Sequence, residues 1–407
     1  MKSRILSFFL RITGLVLKLC LTLYMGRFFS LEDMGTYGLV AAFAVVSISI
    51  LGFRLDFIAT REVINLGGLL LTARIRDQII FYVICYIIFG IAGCIYYYFS
   101  DTPTDKLVYI LALIIGVFES VSTLCSGNLV ALQKPLTANL CFFIRSSLWI
   151  PAVIIIGFLF PEYRNVQIIL IFWNCGIIAS LLLNAWIWRK MKFWQSLSIP
   201  INWKWIKNSI FKAFPIWIGS ICLTFSGYVD RFIVETYLDR ASVGIISFYS
   251  SFAVAVYNIM NSGVFSFLYP KLVKCISTSN LKEFNNVAKK MRNQAILGSS
   301  VICFIIAFVV PVFCLWSGKK ELLSNISILW AMLFGVWIKC ITEYIYYICY
   351  AKEKDKLIWI GNLVFVISST LVNLIFISSM ALSGAVYGAV LSVIPFFLWR
   401  VLCLKKI

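Results

Sequence analysis

The stretch "FFLRITGLVLKLCLTLYM", Phe8–Met25, is apolar over the length of a bilayer crossing, yet it carries Arg11 and Lys18. Seven residues at 100° each make about 700° of helical rotation, so both cations lie on one face, two turns apart. One face of this helix suits lipid. The other must look at water, at anions or at opposite charges, because a charge left in hydrocarbon costs at least about 2.5–3.5 kcal/mol.

Such runs recur. The chain has 407 residues, 61% of them hydrophobic and 13% charged, against about 25% charged in soluble proteins. Apolar segments of roughly 20 residues lie near 6–27, 36–59, 78–99, 107–131, 137–160, 166–188, 209–229, 242–268, 294–316, 327–350, 357–379 and 383–404. The pattern predicts an all-α polytopic membrane protein with about twelve transmembrane helices and short connections. The first span is too long for a cleavable signal peptide, holds internal cations and is followed by no small-residue cleavage site.

Composition also narrows the chemistry. There is no histidine, which removes the commonest metal ligand and the usual acid–base side chain. The 13 cysteines are scattered through apolar runs without a C-x-x-C, so neither a metal site nor a disulfide framework is expected. No Walker-type phosphate loop, G-x-S-x-G or H-E-x-x-H occurs. With no connection long enough for an obvious catalytic domain, the chain reads as a transporter, not an enzyme, with no cofactor.

Lys and Arg set the expected orientation. With the N-terminus in the cytoplasm, the cytoplasmic ends and loops carry 23 of the 36 Lys and Arg, the opposite side seven, and the spans six. Both termini are therefore expected in the cytoplasm. The net charge of +19 is explained by this topology, so no nucleic-acid partner is expected. Two cytoplasmic loops, "RKMKFWQSLSIPINWKWIKNS" and "KLVKCISTSNLKEFNNVAKKMRN", are basic and aromatic. They suit interfacial anchoring or the gathering of anionic lipid headgroups, and the second has the makings of an amphipathic helix.

An internal duplication is legible. "MGTYGLVAAFAVV" from Met34 and "VGIISFYSSFAVA" from Val243 align at constant offset, pairing Gly35 with Gly244 and Phe43-Ala44-Val45 with Phe252-Ala253-Val254. Each follows the first span of its half. Six spans per half is an even number, so the halves insert in the same sense, related by a pseudo-two-fold axis along the membrane normal. The expected organisation is a six-helix lobe over 1–190, a basic interlobe loop over 191–208 and a second six-helix lobe over 209–407.

The intramembrane charges are the candidate functional residues. Arg11, about 8 Å into the first span, either snorkels to the interface or lines a cavity. Lys18, about 18 Å in, is either a buried ion pair or a cavity cation. Arg145 either pairs with Glu119 of the preceding span or joins that cavity. Lys339 and Glu343, one turn apart, can neutralise each other. Arg54 and Asp56, two residues apart on a helix, are expected to point to opposite sides and not to pair. Asp230, beside Arg231, closes the seventh span near the far interface. Together Lys18, Arg11, Arg145, Arg54 and Lys339 outnumber the deep acids Glu119, Glu343 and Asp56, so the expected cavity is net positive and suits an anionic, phosphate-bearing substrate. These acids and Asp230 are candidates for ion coupling. Pro215 and Gly219 could make a hinge in the seventh span or merely a fixed kink.

Three stretches resemble a known family: "GRFFSLEDMGTYGLV" (Gly26–Val40), "YVDRFIVETYLDRASVGIISFYSSFAVAVYNIMNSGVFSFLYPKL" (Tyr228–Leu272) and "ALSGAVYGAVLSVI" (Ala381–Ile394). They are similar to the polysaccharide-exporter branch of the multidrug/oligosaccharidyl-lipid/polysaccharide flippase superfamily, the Wzx-type O-antigen flippases. Ile246 departs from the family's usual tyrosine. The resemblance implies two six-helix bundles about a cationic cavity in the bacterial inner membrane. It implies alternating access that carries an undecaprenyl-diphosphate-linked oligosaccharide to the periplasmic leaflet. Membrane lipids, a polysaccharide polymerase and a chain-length regulator are the implied partners. A drug antiporter of the same superfamily is the alternative within it, and a multispan polymerase or ligase the alternative outside it.

Overall fold

The computed structural model describes residues 2–63, 66, 68–99, 105–189, 193–277 and 280–406. Among the described residues the structure is helical, with no strand. The helices run α1 (Lys2–Phe28), α2 (Leu31–Ile50), α3 (Leu55–Val63), α4 (Gly68–Phe99), α5 (Lys106–Ala131), α6 (Pro135–Phe143), α7 (Ile150–Leu159), α8 (Val166–Trp188), α9 (Phe193–Ser196) and α10 (Trp203–Ser226). They continue as α11 (Val229–Tyr237), α12 (Arg240–Met260), α13 (Ser266–Ser277), α14 (Leu281–Ser317), α15 (Lys320–Ser324), α16 (Ile326–Ala351), α17 (Asp355–Met380), α18 (Gly384–Leu391) and α19 (Val393–Lys406).

Eleven helical stretches among the described residues are long and apolar enough to cross a bilayer. The last, Lys356–Leu404, is 49 residues, about 74 Å and more than twice a hydrocarbon core. It is broken at Ala381, whose φ is 52°. It therefore makes two passes, α17 and then α18 with α19, which gives the twelve expected crossings.

Polar side chains start the helices where the apolar runs begin. Asp105 accepts from the Leu107 amide at 3.0 Å, Asn165 from Ile168 at 3.0 Å and Asn280 from Glu283 at 3.1 Å. Each satisfies an amide that the first turn leaves without an intrahelical partner. Gly318, at φ 76°, ends α14 in the left-handed conformation that glycine adopts without strain. The second basic loop enters α14 directly. Its first turns bury Phe284 and Met291 while Lys282, Lys289 and Lys290 stay exposed, which is an amphipathic extension of a membrane helix.

The chain forms two compact units: residues 1–18 with 40–224, and residues 19–39 with 225–407. The first unit packs Leu55, Tyr82 and Leu124 in one cluster and Leu129, Ala138 and Cys141 in another. The second packs Val229, Val234, Val243, Ile246 and Ile377 together, and Phe365 with Val393 and Phe396.

Inside the second unit, the duplicated segments meet each other. A Cβ at Gly35 would run into the Arg240 carbonyl and one at Gly244 into the Leu31 carbonyl; each also faces the other glycine's amide at 3.1 Å. The contact is reciprocal at the alignment offset: Leu31 stands to Arg240 as Gly35 to Gly244. That is what a local two-fold between α2 and α12 requires. The caps repeat too. Ser30 Oγ accepts from the Asp33 amide at 3.0 Å, and Asp239 from the Ser242 amide at 2.7 Å.

Candidate functional site

In the first unit the charges of α1 meet those of the fourth and fifth spans. α6 and α7 are joined by a π-turn over Ile144–Leu148, which holds Arg145. A π-turn widens the helix by one residue and re-aims the side chains around it, and such turns gather at functional sites. Here Arg145 turns onto α5. Its Nε lies 3.0 Å from Glu119 Oε2, and its Nη1 donates to the Glu119 carbonyl at 3.1 Å and the Thr123 hydroxyl at 2.8 Å. The other Glu119 oxygen accepts from the Trp173 indole at 2.9 Å. Trp173 in turn stacks on Trp149, whose indole donates to the Arg145 carbonyl. Both charged side chains are under 10% exposed. The pair is buried and closed by its own neighbours.

Arg11 and Lys18 differ: both are exposed. Arg11 Nε donates to Asn139 at 3.1 Å. The Lys18 ammonium lies 5.9 Å from the centre of the Phe142 ring, and the charges of Glu119 and Arg145 both act on it. Between them, Gly14 lets α1 approach the π-turn, where Ser147 donates to its carbonyl at 3.1 Å. Two cations, Lys18 and Arg145, thus gather about one carboxylate, Glu119, with Arg11 two turns away along α1. Lys18 and Arg145 against Glu119 leave an excess of one positive charge.

The second span is not one helix. Gly52, Phe53 and Arg54 all have positive φ, at 76°, 50° and 55°. For Phe53 and Arg54 this is a strained conformation. It overturns the expectation that Arg54 and Asp56 point apart: their side chains lie 3.6 Å from each other, about a third exposed. The expectation assumed 100° per residue, and the left-handed residues cancel that spacing. Asp56 also accepts from Tyr82 at 3.1 Å, and Trp217 on α10 donates to the Ile50 carbonyl at 2.9 Å, satisfying an acceptor that the broken helix leaves open.

A third pair was not anticipated. Arg76 and Asp77 on α4 are 2% and 3% exposed and pair at 2.6 Å. The Arg76 guanidinium donates to the carbonyls of Ser196, Ile199 and Pro200, and Asp77 accepts from the Asn202 amide at 3.2 Å. Beside it, Arg74 stacks on Trp205 at 4.1 Å, and Trp205 donates to Glu62 at 2.7 Å. These contacts fix the chain between α9 and α10. In the sequence, Arg74 and Arg76 read only as cytoplasmic positive charge.

In the second unit, Lys339 lines a cavity of about 220 Å³ with Asp230, Ser250, Tyr257, Phe365 and Asn373. Lys339 and Glu343 make no direct ion-pair contact among the described residues, though the Glu343 charge acts on Lys339. Tyr257 takes both: its ring lies 4.7 Å from the ammonium, and its hydroxyl donates to Glu343 at 3.1 Å. Phe365 faces the ammonium at 5.8 Å. Asp230 accepts from the Arg231 amide at 2.9 Å. Arg231 itself is buried, donating to Ser250 at 2.6 Å over the Tyr228 ring. α10 runs continuously past Pro215 and Gly219. Outside the spans, Lys319 donates to the Phe29 carbonyl. Burial pushes its ammonium below the usual lysine range, against the pull of Glu321 and Asp33.

A family model described as polysaccharide biosynthesis protein matches residues 2–276. No curated protein matches the chain in sequence. Among solved structures, the fold is similar to lipid II flippase MurJ in an inward closed conformation, with TM-score 0.77, 19% identity, 99% of this chain and 87% of that one covered. It is also similar to an inward-facing multidrug resistance MATE family transporter of the MOP superfamily, with TM-score 0.59, 14% identity and coverage of 99% and 94%. A eukaryotic MATE transporter matches with TM-score 0.58, 12% identity and coverage of 100% and 94%.

Proposed function

We propose, for a chain that belongs to the polysaccharide biosynthesis protein family, that it is a flippase for a lipid-linked oligosaccharide of the O-antigen or polysaccharide-repeat kind. It works in the bacterial inner membrane with both termini in the cytoplasm. The substrate is a polyprenyl-diphosphate oligosaccharide, taken from the cytoplasmic to the periplasmic leaflet by alternating access.

One observation carries the reading. Lys18 is exposed twelve residues into a candidate span that starts at Leu6, about 18 Å deep, in a cluster with an excess of one positive charge. A lysine on the surface of the fold at that depth belongs beside a water-filled passage, since hydrocarbon would tax it heavily. Arg11, one face along, extends the positive surface toward the cytoplasm. Such a surface attracts a diphosphate and repels a cationic drug. Arg145, locked to Glu119, supports the cluster; Arg54 in the first unit and Lys339 in the second are further cations. Of the acids, Asp230 lines open space and best suits an ion-coupling role; Asp56, Glu119 and Glu343 are engaged by Arg54, Arg145 and Tyr257.

The test is complementation of surface polysaccharide in a flippase-null strain, with membrane protein levels measured alongside. A charge-assisted contact contributes about 1.5–3 kcal/mol, roughly one to two decades in binding. Lys18→Ala and Lys18→Gln should cut export strongly at normal abundance, and Lys18→Arg should retain part of it. Full export by a stable Lys18→Ala protein would remove Lys18 from the substrate path.

A further inference from the structure

The first unit carries an open apolar groove of about 430 Å³ on α4 and α10, lined by Phe81, Ile84, Trp203, Lys207, Ile210 and Phe211 among others. Trp203 opens α10, and Phe211 follows eight residues later, about 12 Å along the axis. The groove therefore occupies the outer part of one leaflet. On the orientation proposed above, this is the cytoplasmic leaflet. Its walls are apolar apart from the Trp203 indole nitrogen and one charged side chain, Lys207, which is exposed. Phe211 and Trp203 are 70% and 53% exposed, so the groove is not filled by this chain.

Two features say what fills it. The first is charge: a lysine on an apolar wall near the interface extends its ammonium to the level of phosphate groups. The second is continuity. The Phe81 ring, on the groove wall, lies 6.1 Å from Phe53, and Phe53 lies 4.4 Å from Trp217. Phe53 directly precedes Arg54 in the left-handed break of the second span. Rings thus continue from the groove to the break in the second span. An amphiphile with an anionic head and a long apolar tail matches the lysine and the ringed wall.

We infer that this groove holds the prenyl tail of a polyprenyl diphosphate, with Lys207 at its phosphates, as the point where the substrate is taken from the leaflet. The inference rests on the flippase reading and adds the place of entry.

The probe is undecaprenyl diphosphate carrying a diazirine on its tail, added to the full chain in nanodiscs and mapped by peptide mass spectrometry after illumination. Labels should fall on the segments holding Phe81–Ile84 and Trp203–Phe211. Unlabelled undecaprenyl diphosphate should displace them at least tenfold better than phosphatidylglycerol. Lys207→Gln should weaken labelling about tenfold, and so should Phe211→Ser; Phe211 is exposed, so monodispersity should be retained. Equal displacement by phosphatidylglycerol would make this a boundary-lipid groove and overturn the inference. Saturable labelling confined to another surface would overturn it too, leaving the flippase reading intact. No saturable labelling anywhere on the chain would defeat both.

Discussion

Glu119→Gln separates support from substrate contact in the first unit. The amide is nearly isosteric and keeps an acceptor for the Trp173 indole, which now donates to Oε1 at 2.9 Å. What is lost is the charge facing Arg145. Both side chains are under 10% exposed, so the guanidinium would be left buried with the Glu119 carbonyl and the Thr123 hydroxyl as acceptors. Breaking a buried pair from one side costs about 3–5 kcal/mol, because it strands the other charge. The two surviving hydrogen bonds and the Phe142 ring at 5.3 Å place the expected loss near the lower end, about 3 kcal/mol, or two decades in the folded ratio. The assay is thermal unfolding of the detergent-solubilised protein by size-exclusion chromatography, with membrane abundance measured in cells. Glu119→Gln should fall in both. Adding Arg145→Met removes the stranded charge and should recover most of the loss, since apolar replacement of a buried pair is often neutral or better. Wild-type melting of Glu119→Gln, or a double variant no better than the single, would refute the assignment of this pair to structural support.

Gly35→Leu and Gly244→Leu should each destabilise by at least the 1–3 kcal/mol typical of overpacking, because a Cβ at either glycine meets backbone; the check is the melting temperature, and a neutral result would remove the close α2–α12 crossing. Cysteine accessibility should place sites near Lys207, Lys282 and Lys354 in the cytoplasm and sites near Arg164 and Glu321 outside. Finding Lys207 and Lys282 on opposite sides would overturn the proposed orientation.

Length and hydrophobicity of the spans are properties of local sequence, and a bilayer offers a long apolar segment only one good conformation. That is why the helical crossings, the charges at depth and the duplication could be read directly. The offset pairing Gly35 with Gly244 was legible as a duplication, but their contact came from the fold, where a two-fold brings equivalent positions together. Which charges neutralise which could not be read the same way. The spacing of Lys339 and Glu343 favoured a pair, yet Tyr257, from another span, took both. Arg54 and Asp56 seemed to diverge, yet three left-handed residues turned them together; Gly52 in "ILGFRLD" was the available sign of a break. Glu119 and Arg145 met because a π-turn aimed one at the other. Helical angles predict a face only while the helix stays regular. Partners from other spans are brought by packing alone, and at the depth of the bilayer that packing decides whether a charge is a strut or a site.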